Sequence, residues 1–122
     1  MKFAVSLPAV DMERAKAWYA SALDLEPAEI TDFGDIWYVV NGSRVQLYAS
    51  QFAGTNKATA ATIEVEDVQA TVDRLKARGV VFEDYDYGEE FRTVDGVLTA
   101  PDGHKLAWFK GSEGNTLAIA PA

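Results

Sequence analysis

The sequence has 122 residues and a mass of 13.3 kDa, which fits one domain of ordinary size. Hydrophobic residues make up 48% of the chain and charged residues 25%, an ordinary balance for a globular protein with a buried core. The net charge of −8 argues against non-specific binding to nucleic acid or to anionic lipid, since both depend on clustered lysine and arginine.

The residue types present also exclude several kinds of site. Without cysteine there is no disulfide, thiolate nucleophile or cysteine-based zinc site, and the single histidine, His104, excludes a multi-histidine metal site within one chain. The N-terminus turns polar too soon for a signal peptide, and no stretch approaches the roughly 18 apolar residues that a membrane span needs. We therefore expect a cytoplasmic protein that binds neither nucleic acid nor membrane.

Two helices are predicted, and each begins after an aspartate suited to cap its N-terminus. The first follows Asp11 and spans 12–23, where apolar residues recur at helical spacing. The second follows Asp67 and ends near Gly79, with basic residues in its last turn and glycine just beyond it.

The remaining segments are predicted strands, and two pairs of them are joined by hairpin turns. Asn41-Gly42 between two β-branched and aromatic runs is a strong hairpin signal, and residues 101–104 form a second turn of this kind. The predicted strands are 3–7, 35–40, 44–49, 59–65, 80–83, 97–100, 105–110 and 116–120.

The order of elements is duplicated. A strand, a helix and several strands are followed by the same series again, and aligning Asp11 with Asp67 places each preceding strand at the same distance from its helix. The second half is longer because it carries an acidic insertion, residues 84–95. We predict an α+β fold in a single domain, with one module at about 1–52 and the other at about 58–122.

Three segments, in this order, resemble the vicinal oxygen chelate superfamily, which includes glyoxalase I, bleomycin-resistance proteins and extradiol dioxygenases. They are residues 7–19, residues 65–68 together with 75–80, and residues 107–117. The last contains Gly-Ser-Glu-Gly-Asn where the superfamily has a turn of the type Asp-Pro-Asp-Gly-Asn. The resemblance implies two βαβββ modules that form a curled mixed sheet around a central cavity. It says little about the reaction, because this fold hosts many chemistries.

The metal ligands of the superfamily are missing from the matching positions. By resemblance they fall near Ala4, Gln46, Ala60 and Ala118. Alanine has no donor atom, and Gln46 offers one neutral amide oxygen, whereas a hard cation needs several ligands. We expect no metal and no cofactor, and three alanines would leave a larger, more apolar cavity.

Six residues are predicted to bind a ligand. Gln46 and Tyr48 alternate on one strand and should face the same side, either towards a ligand or as a buried polar pair. Trp37 and Tyr38 point to opposite faces, so one should face the cavity, either to stack a ligand or as part of the core. The full set is Gln46, Tyr48, Trp37, Tyr38, Trp108 and Thr62.

Two acidic features have competing interpretations. Glu64, on the same strand parity as Thr62, is either an interior general base or a surface charge. The loop 83–95 mixes carboxylates with aromatics. It is either a rim that closes over a basic or aromatic ligand or a solvated loop whose aromatics pack on the barrel edge or a dimer partner.

Three functional hypotheses follow. The first is a metal-independent small-molecule-binding protein that sequesters a cationic or aromatic compound and forms a homodimer. The second is a cofactor-free lyase or isomerase that uses Glu64 as its base. The third is a non-catalytic accessory module whose cavity is filled by its own side chains.

Overall fold

The computed structural model describes all residues from 1 to 122 as two helices and nine strands. This confirms the α+β class and the duplicated order, and it adds two short strands that the sequence did not predict, Glu29–Ile30 and Thr93–Val94. In chain order the elements are β1 (Val5–Ala9), α1 (Met12–Leu23), β2 (Glu29–Ile30), β3 (Ile36–Val40), β4 (Ser43–Ala49), β5 (Thr59–Val65), α2 (Val68–Ala77), β6 (Thr93–Val94), β7 (Val97–Thr99), β8 (Lys105–Lys110) and β9 (Thr116–Pro121).

The strands form two mixed sheets that share one topology. The first sheet has the order β1-β4-β3-β2 and the second the order β5-β9-β8-β7-β6. In each sheet the first strand of the module lies parallel to the last, while the hairpin partners are antiparallel. A parallel pair needs a long crossover connection, and the helix of each module lies within that connection.

The chain divides into two compact units. The first consists of residues 1–57 together with 111–115, and the second of residues 58–110 together with 116–122. The loop 111–115, which connects β8 to β9, therefore groups with the first unit.

Both helices begin at the predicted aspartates. The Asp11 side chain accepts a hydrogen bond from the Arg14 amide and the Asp67 side chain one from the Ala70 amide, each at 3.0 Å. α2 ends as predicted, because Gly79 has a φ of +90°, a conformation that glycine adopts without a steric penalty.

In the first sheet the helix covers one face only. α1 buries Ala15 and Tyr19 on the side of the sheet where Leu47 and Tyr38 are buried. The Tyr19 and Tyr38 rings lie 5.7 Å apart between centroids. Because side chains alternate along a strand, the neighbours of these residues lie on the face opposite α1, here called the far face of the first sheet.

The second sheet follows the same plan. Val72 and Leu75 of α2 are buried, as are Phe109 on β8 and Leu117 and Ile119 on β9. Thr62, Ala118 and Trp108 stand opposite one another on three adjacent strands, with the other parity, and define the far face of the second sheet.

Some strand boundaries differ from the predicted ones. β1 is shifted by two residues and includes Pro8, which an edge strand tolerates. The predicted strand 80–83 is reduced to a single bridge between Phe82 and Phe109. The Val80 amide donates to the Leu75 carbonyl at the end of α2 and is therefore not available for pairing with a strand. The Asn41-Gly42 hairpin is confirmed: both residues have positive φ, as a type I′ turn requires.

Neither helix has the length and apolar character that crossing a membrane would require.

Candidate functional site

A row of three side chains crosses the far face of the first sheet. In the strand register Gln46 lies opposite Ser6 on β1 and opposite Trp37 on β3. The Ser6 hydroxyl donates to Gln46 Oε1 at 3.0 Å, and Gln46 Nε2 donates to Asp35 Oδ2 at 3.1 Å. A donor at one end and an acceptor at the other fix the orientation of the amide beside the indole.

Trp37 carries a cation on its ring. The guanidinium carbon of Arg44 lies 4.1 Å from the ring centroid, within the range of a cation–π contact. Arg44 precedes Gln46 by two residues on β4, so alternation places both side chains on the far face. The far face of the first sheet thus offers an aromatic plane that accommodates a planar cation.

The structure separates two residues that the sequence left undecided. Trp37 lies on the far face and is half-buried, whereas Tyr38 faces α1 and is only 1% exposed. Burial raises the pKa of Tyr38, and its hydroxyl has no hydrogen-bond partner. Tyr38 therefore belongs to the core, and its predicted place beside a ligand is not supported. Tyr48, half-buried, shares the strand parity of Gln46 as expected.

On the second sheet, the chain's own rings cover Trp108. Tyr85 meets it edge-on with 5.7 Å between centroids, and Phe91 lies at 5.8 Å. Tyr87 completes the group by stacking on Tyr85 at 6.1 Å and lying 5.7 Å from Phe91. Thr62, in the same row as Trp108, is exposed. Trp108, which was predicted to contact a ligand, is thus already in contact with aromatic side chains of the loop 83–95.

The loop 83–95 is held by its own hydrogen bonds. Asp84 Oδ1 accepts from the Thr93 hydroxyl at 2.8 Å and from the Gly96 amide at 2.9 Å, and these bonds lower the pKa of Asp84. The Thr93 hydroxyl also accepts from the Tyr85 amide at 2.7 Å, and the Tyr87 amide donates to the Phe91 carbonyl at 2.8 Å. The loop therefore forms a hairpin-like arm, in agreement with the interpretation that its aromatics pack on the sheet.

Glu64 does not lie in an interior position. It is exposed on β5 and stands opposite Ala120 in the register of the second sheet. A carboxylate that acts as a general base because burial raises its pKa must lie in the interior. The exposed position of Glu64 therefore does not support the lyase or isomerase hypothesis.

The residues at the superfamily's ligand positions do not fit a metal. Ala4 and Ala60 are exposed and Ala118 is buried, and none of the three has a donor atom. The Gln46 amide oxygen already accepts from Ser6. No group of three or more histidine, cysteine, aspartate or glutamate side chains in the chain is placed to hold an ion.

The buried carboxylate of Glu113, to which sequence analysis gave no role, fixes the loop 111–115. The Glu113 side chain is 2% exposed, and its oxygens accept from Arg14 Nε at 2.9 Å and Arg14 Nη2 at 3.0 Å. They also accept from the Asp11 amide at 2.9 Å and the Ser112 hydroxyl at 2.8 Å. These hydrogen bonds, chiefly those of Arg14, lower the pKa of Glu113 to about 2.

An open cavity of about 330 Å³ lies in the second unit, at the end of α2. Lys76 borders it and donates from Nζ to the Asp95 carbonyl at 2.6 Å. None of the predicted ligand residues lines it. The lining is Lys76, Val80, Val81, Phe82, Asp84, Asp95 and Gly96.

Paired modules with capped helices and parallel first and last strands define a class of duplicated α+β domains. A family model of the Glyoxalase/Bleomycin resistance protein/Dioxygenase superfamily matches residues 3–115. The chain belongs to this superfamily, as the sequence resemblance indicated. No curated protein gives a significant match.

Several solved structures share the fold at low sequence identity. UcmS2 is 17% identical with a TM-score of 0.74, and the match covers 100% of this chain and 99% of UcmS2. Lactoylglutathione lyase from Agrobacterium tumefaciens is 14% identical with a TM-score of 0.74, over 100% of this chain and 93% of the lyase.

A third similar structure is a variant of FosX, the genomically encoded fosfomycin resistance protein of Listeria monocytogenes, complexed with Mn(II) and 1S,2S-dihydroxypropylphosphonic acid. It is 15% identical with a TM-score of 0.65, over 98% of this chain and 88% of FosX. At these identities the likeness establishes the fold alone.

Proposed function

We propose that this chain is a metal-independent small-molecule-binding protein that sequesters a cationic or aromatic compound on the far face of the first sheet. The observation that carries the proposal is the Trp37 ring, which stands beside a fixed amide and already stacks a planar cation. An aromatic plane with a few oriented polar groups is the usual composition of a small-molecule site.

Charge supports a cationic ligand. Asp35 lies two residues before Trp37 and is half-buried. Its carboxylate accepts a hydrogen bond from the Gln46 side-chain amide through Oδ2. The hydrogen bond from Gln46 uses one carboxylate oxygen, so the other oxygen, Oδ1, is the acceptor that we assign to a ligand. The net charge of −8 favours the approach of cations over anions.

The side chains support binding rather than turnover. The candidate base Glu64 is exposed, and the positions that carry metal ligands in metal-dependent relatives hold three alanines and one neutral amide that Ser6 already engages. A site without an interior base or a set of metal donors is suited to holding a compound rather than converting it.

Planar cations are expected to stabilise the protein through Trp37. Ethidium and acridine orange should raise the midpoint of thermal unfolding to the same extent in excess EDTA and in excess Mn(II). Trp37→Ala should weaken their binding at least about tenfold, because the stacking plane is lost. Isothermal titration calorimetry measures this, with Phe33→Ala as the control, since Phe33 is an exposed aromatic of the same unit.

Either of two results would contradict this proposal. One is that neither dye binds, and the other is that Trp37→Ala and Phe33→Ala bind both dyes as the unchanged protein does. A requirement for Mn(II) would overturn the metal-independent part by itself.

We also propose that the chain forms a homodimer. β1 lies at the edge of the first sheet, and the residues at and before it expose large apolar side chains, namely Met1, Phe3 and Val5. An unpaired edge with apolar neighbours favours pairing with another chain. Light scattering coupled to size-exclusion chromatography should give twice the chain mass of 13.3 kDa, and the monomer mass at all concentrations would refute the dimer.

A further inference from the structure

We infer that the Trp37 face recognises a planar amidinium or guanidinium group, and that Arg44 occupies this position in the free protein as an internal competitor. The inference rests on the proposed function, since it names the chemical class that the same face binds. It also assigns to Arg44 a role in setting affinity and specificity.

The contact of Arg44 with the ring is its one strong interaction. The guanidinium lies 4.1 Å from the Trp37 centroid, and no carboxylate lies within ion-pair distance of Arg44. The residue is exposed, although the chain contains 19 aspartate and glutamate residues that could pair with it. Arg44 is therefore held by stacking alone, and a ligand displaces it without breaking an ion pair.

The neighbouring groups favour a delocalised planar cation over a compact ammonium ion. A guanidinium or amidinium stacks flat on an indole and directs its N–H groups outward in its own plane. The Asp35 carboxylate is held beside this face by Gln46, which uses Oδ2 and leaves Oδ1 as the acceptor that we assign to the ligand. Gln46, opposite Trp37, keeps that carboxylate in place. A ligand with this group thus gains a charge-assisted hydrogen bond that is absent from the Arg44 contact.

Competition by Arg44 lowers the apparent affinity for such a ligand. The apparent dissociation constant is the intrinsic one divided by the fraction of protein in which the ring is free. A cation–π contact at an exposed position leaves the ring free in a minority of molecules. Removing the guanidinium should therefore tighten binding of a planar cation by about three- to tenfold.

The experiment compares benzamidine with benzamide, its neutral planar analogue, by isothermal titration calorimetry. Arg44→Ala should bind benzamidine about three- to tenfold more tightly than the unchanged protein, with no such gain for benzamide. Arg44→Gln, which keeps an unbranched polar side chain without the charge, should behave like Arg44→Ala. Asp35→Asn in the Arg44→Ala background should weaken benzamidine binding again.

Arg74→Ala is the matched control for net charge. Arg74 is an exposed arginine on α2, and its removal makes the chain more acidic by the same amount as Arg44→Ala. It should leave benzamidine affinity unchanged, so that a gain seen for Arg44→Ala alone reports release of the ring.

The outcomes separate this inference from the proposed function. If Trp37→Ala abolishes binding of ethidium and benzamidine but Arg44→Ala binds benzamidine no more tightly than the unchanged protein, the competitor role is refuted and the binding function remains. If benzamidine binds none of the variants while ethidium binds through Trp37, the ligand class is refuted. If Trp37→Ala leaves every probe unaffected, both proposals fail.

Discussion

Replacing Glu113 with glutamine is expected to lower the free energy of unfolding at neutral pH by about 2–3 kcal/mol. The carboxylate is buried and accepts four hydrogen bonds, two of them from the Arg14 guanidinium. A glutamine amide replaces one acceptor oxygen with a donor, which then opposes the donors that point at it. Urea unfolding followed by tryptophan fluorescence measures the loss.

The same variant should change how stability depends on pH. The pKa of Glu113 is about 2 in the folded protein and 4.5 in the unfolded chain, so folding favours the ionised form. Its contribution is fully present above about pH 4.5 and is lost as the pH falls towards about 2. Stability of the unchanged protein should therefore fall in this window by more than that of Glu113→Gln, so that the two curves converge at low pH.

Glu29→Gln is the control, because Glu29 is an exposed carboxylate of the same unit. Its pH curve should run parallel to that of the unchanged protein. Asp84 also has a lowered pKa, and its contribution is common to all three proteins, so it cancels in the comparison. Curves for Glu113→Gln and the unchanged protein that stay equally far apart at every pH would contradict the assignment.

The local features of this fold could be predicted from the sequence because their causes are local. Asp11 and Asp67 cap helices through amides three residues away, and Asn41-Gly42 reverses the chain with two adjacent residues in positive φ. Each signal acts within one turn. The duplicated order of elements then follows from reading these signals along the chain.

The candidate site was predicted only in part. Alternation along a strand shows which residues share a face, but it does not show which face the helix covers. The sequence shows that Trp37 and Tyr38 face opposite ways, but the position of α1 decides which of them is covered by the helix. Arg44 and Asp35 were not assigned to the site, although both share the parity of their neighbours there. Their contacts depend on how β3 and β4 align, and the hairpin turn sets that register.

Contacts between distant positions account for what was missed. Glu113 accepts a hydrogen bond from the Asp11 amide, which is 102 residues away in the sequence, and only the folded chain brings the two together. The aromatic residues of the loop 83–95 were evident in the sequence, but not that Tyr85 and Phe91 pack on Trp108. The signal that was available for Glu113 was its place in the altered turn, where it is the one acidic residue.

The same turn depends on a close approach of backbones at Gly54, and Gly54→Ala is expected to cost about 2–4 kcal/mol of unfolding free energy. A Cβ at this position would lie 2.7 Å from the Glu113 carbonyl oxygen and 3.2 Å from the Gly114 Cα. Gly54 also has a φ of +75°, which an alanine adopts only with strain. Both of these contacting atoms belong to the backbone, so a change of side-chain rotamer does not relieve the clash.

Gly34→Ala separates the two causes. Gly34 has a φ of +90°, but no atom lies within 4 Å of the added Cβ. Gly34→Ala should therefore lower the free energy of unfolding by about 1 kcal/mol, through the backbone conformation alone. The excess loss in Gly54→Ala then measures the contact with the loop 111–115. Since Gly54→Ala and Glu113→Gln both loosen that loop, the double variant should lose less stability than the sum of the two single losses. Equal losses for Gly34→Ala and Gly54→Ala, or full additivity in the double variant, would show that the close approach does not hold the loop.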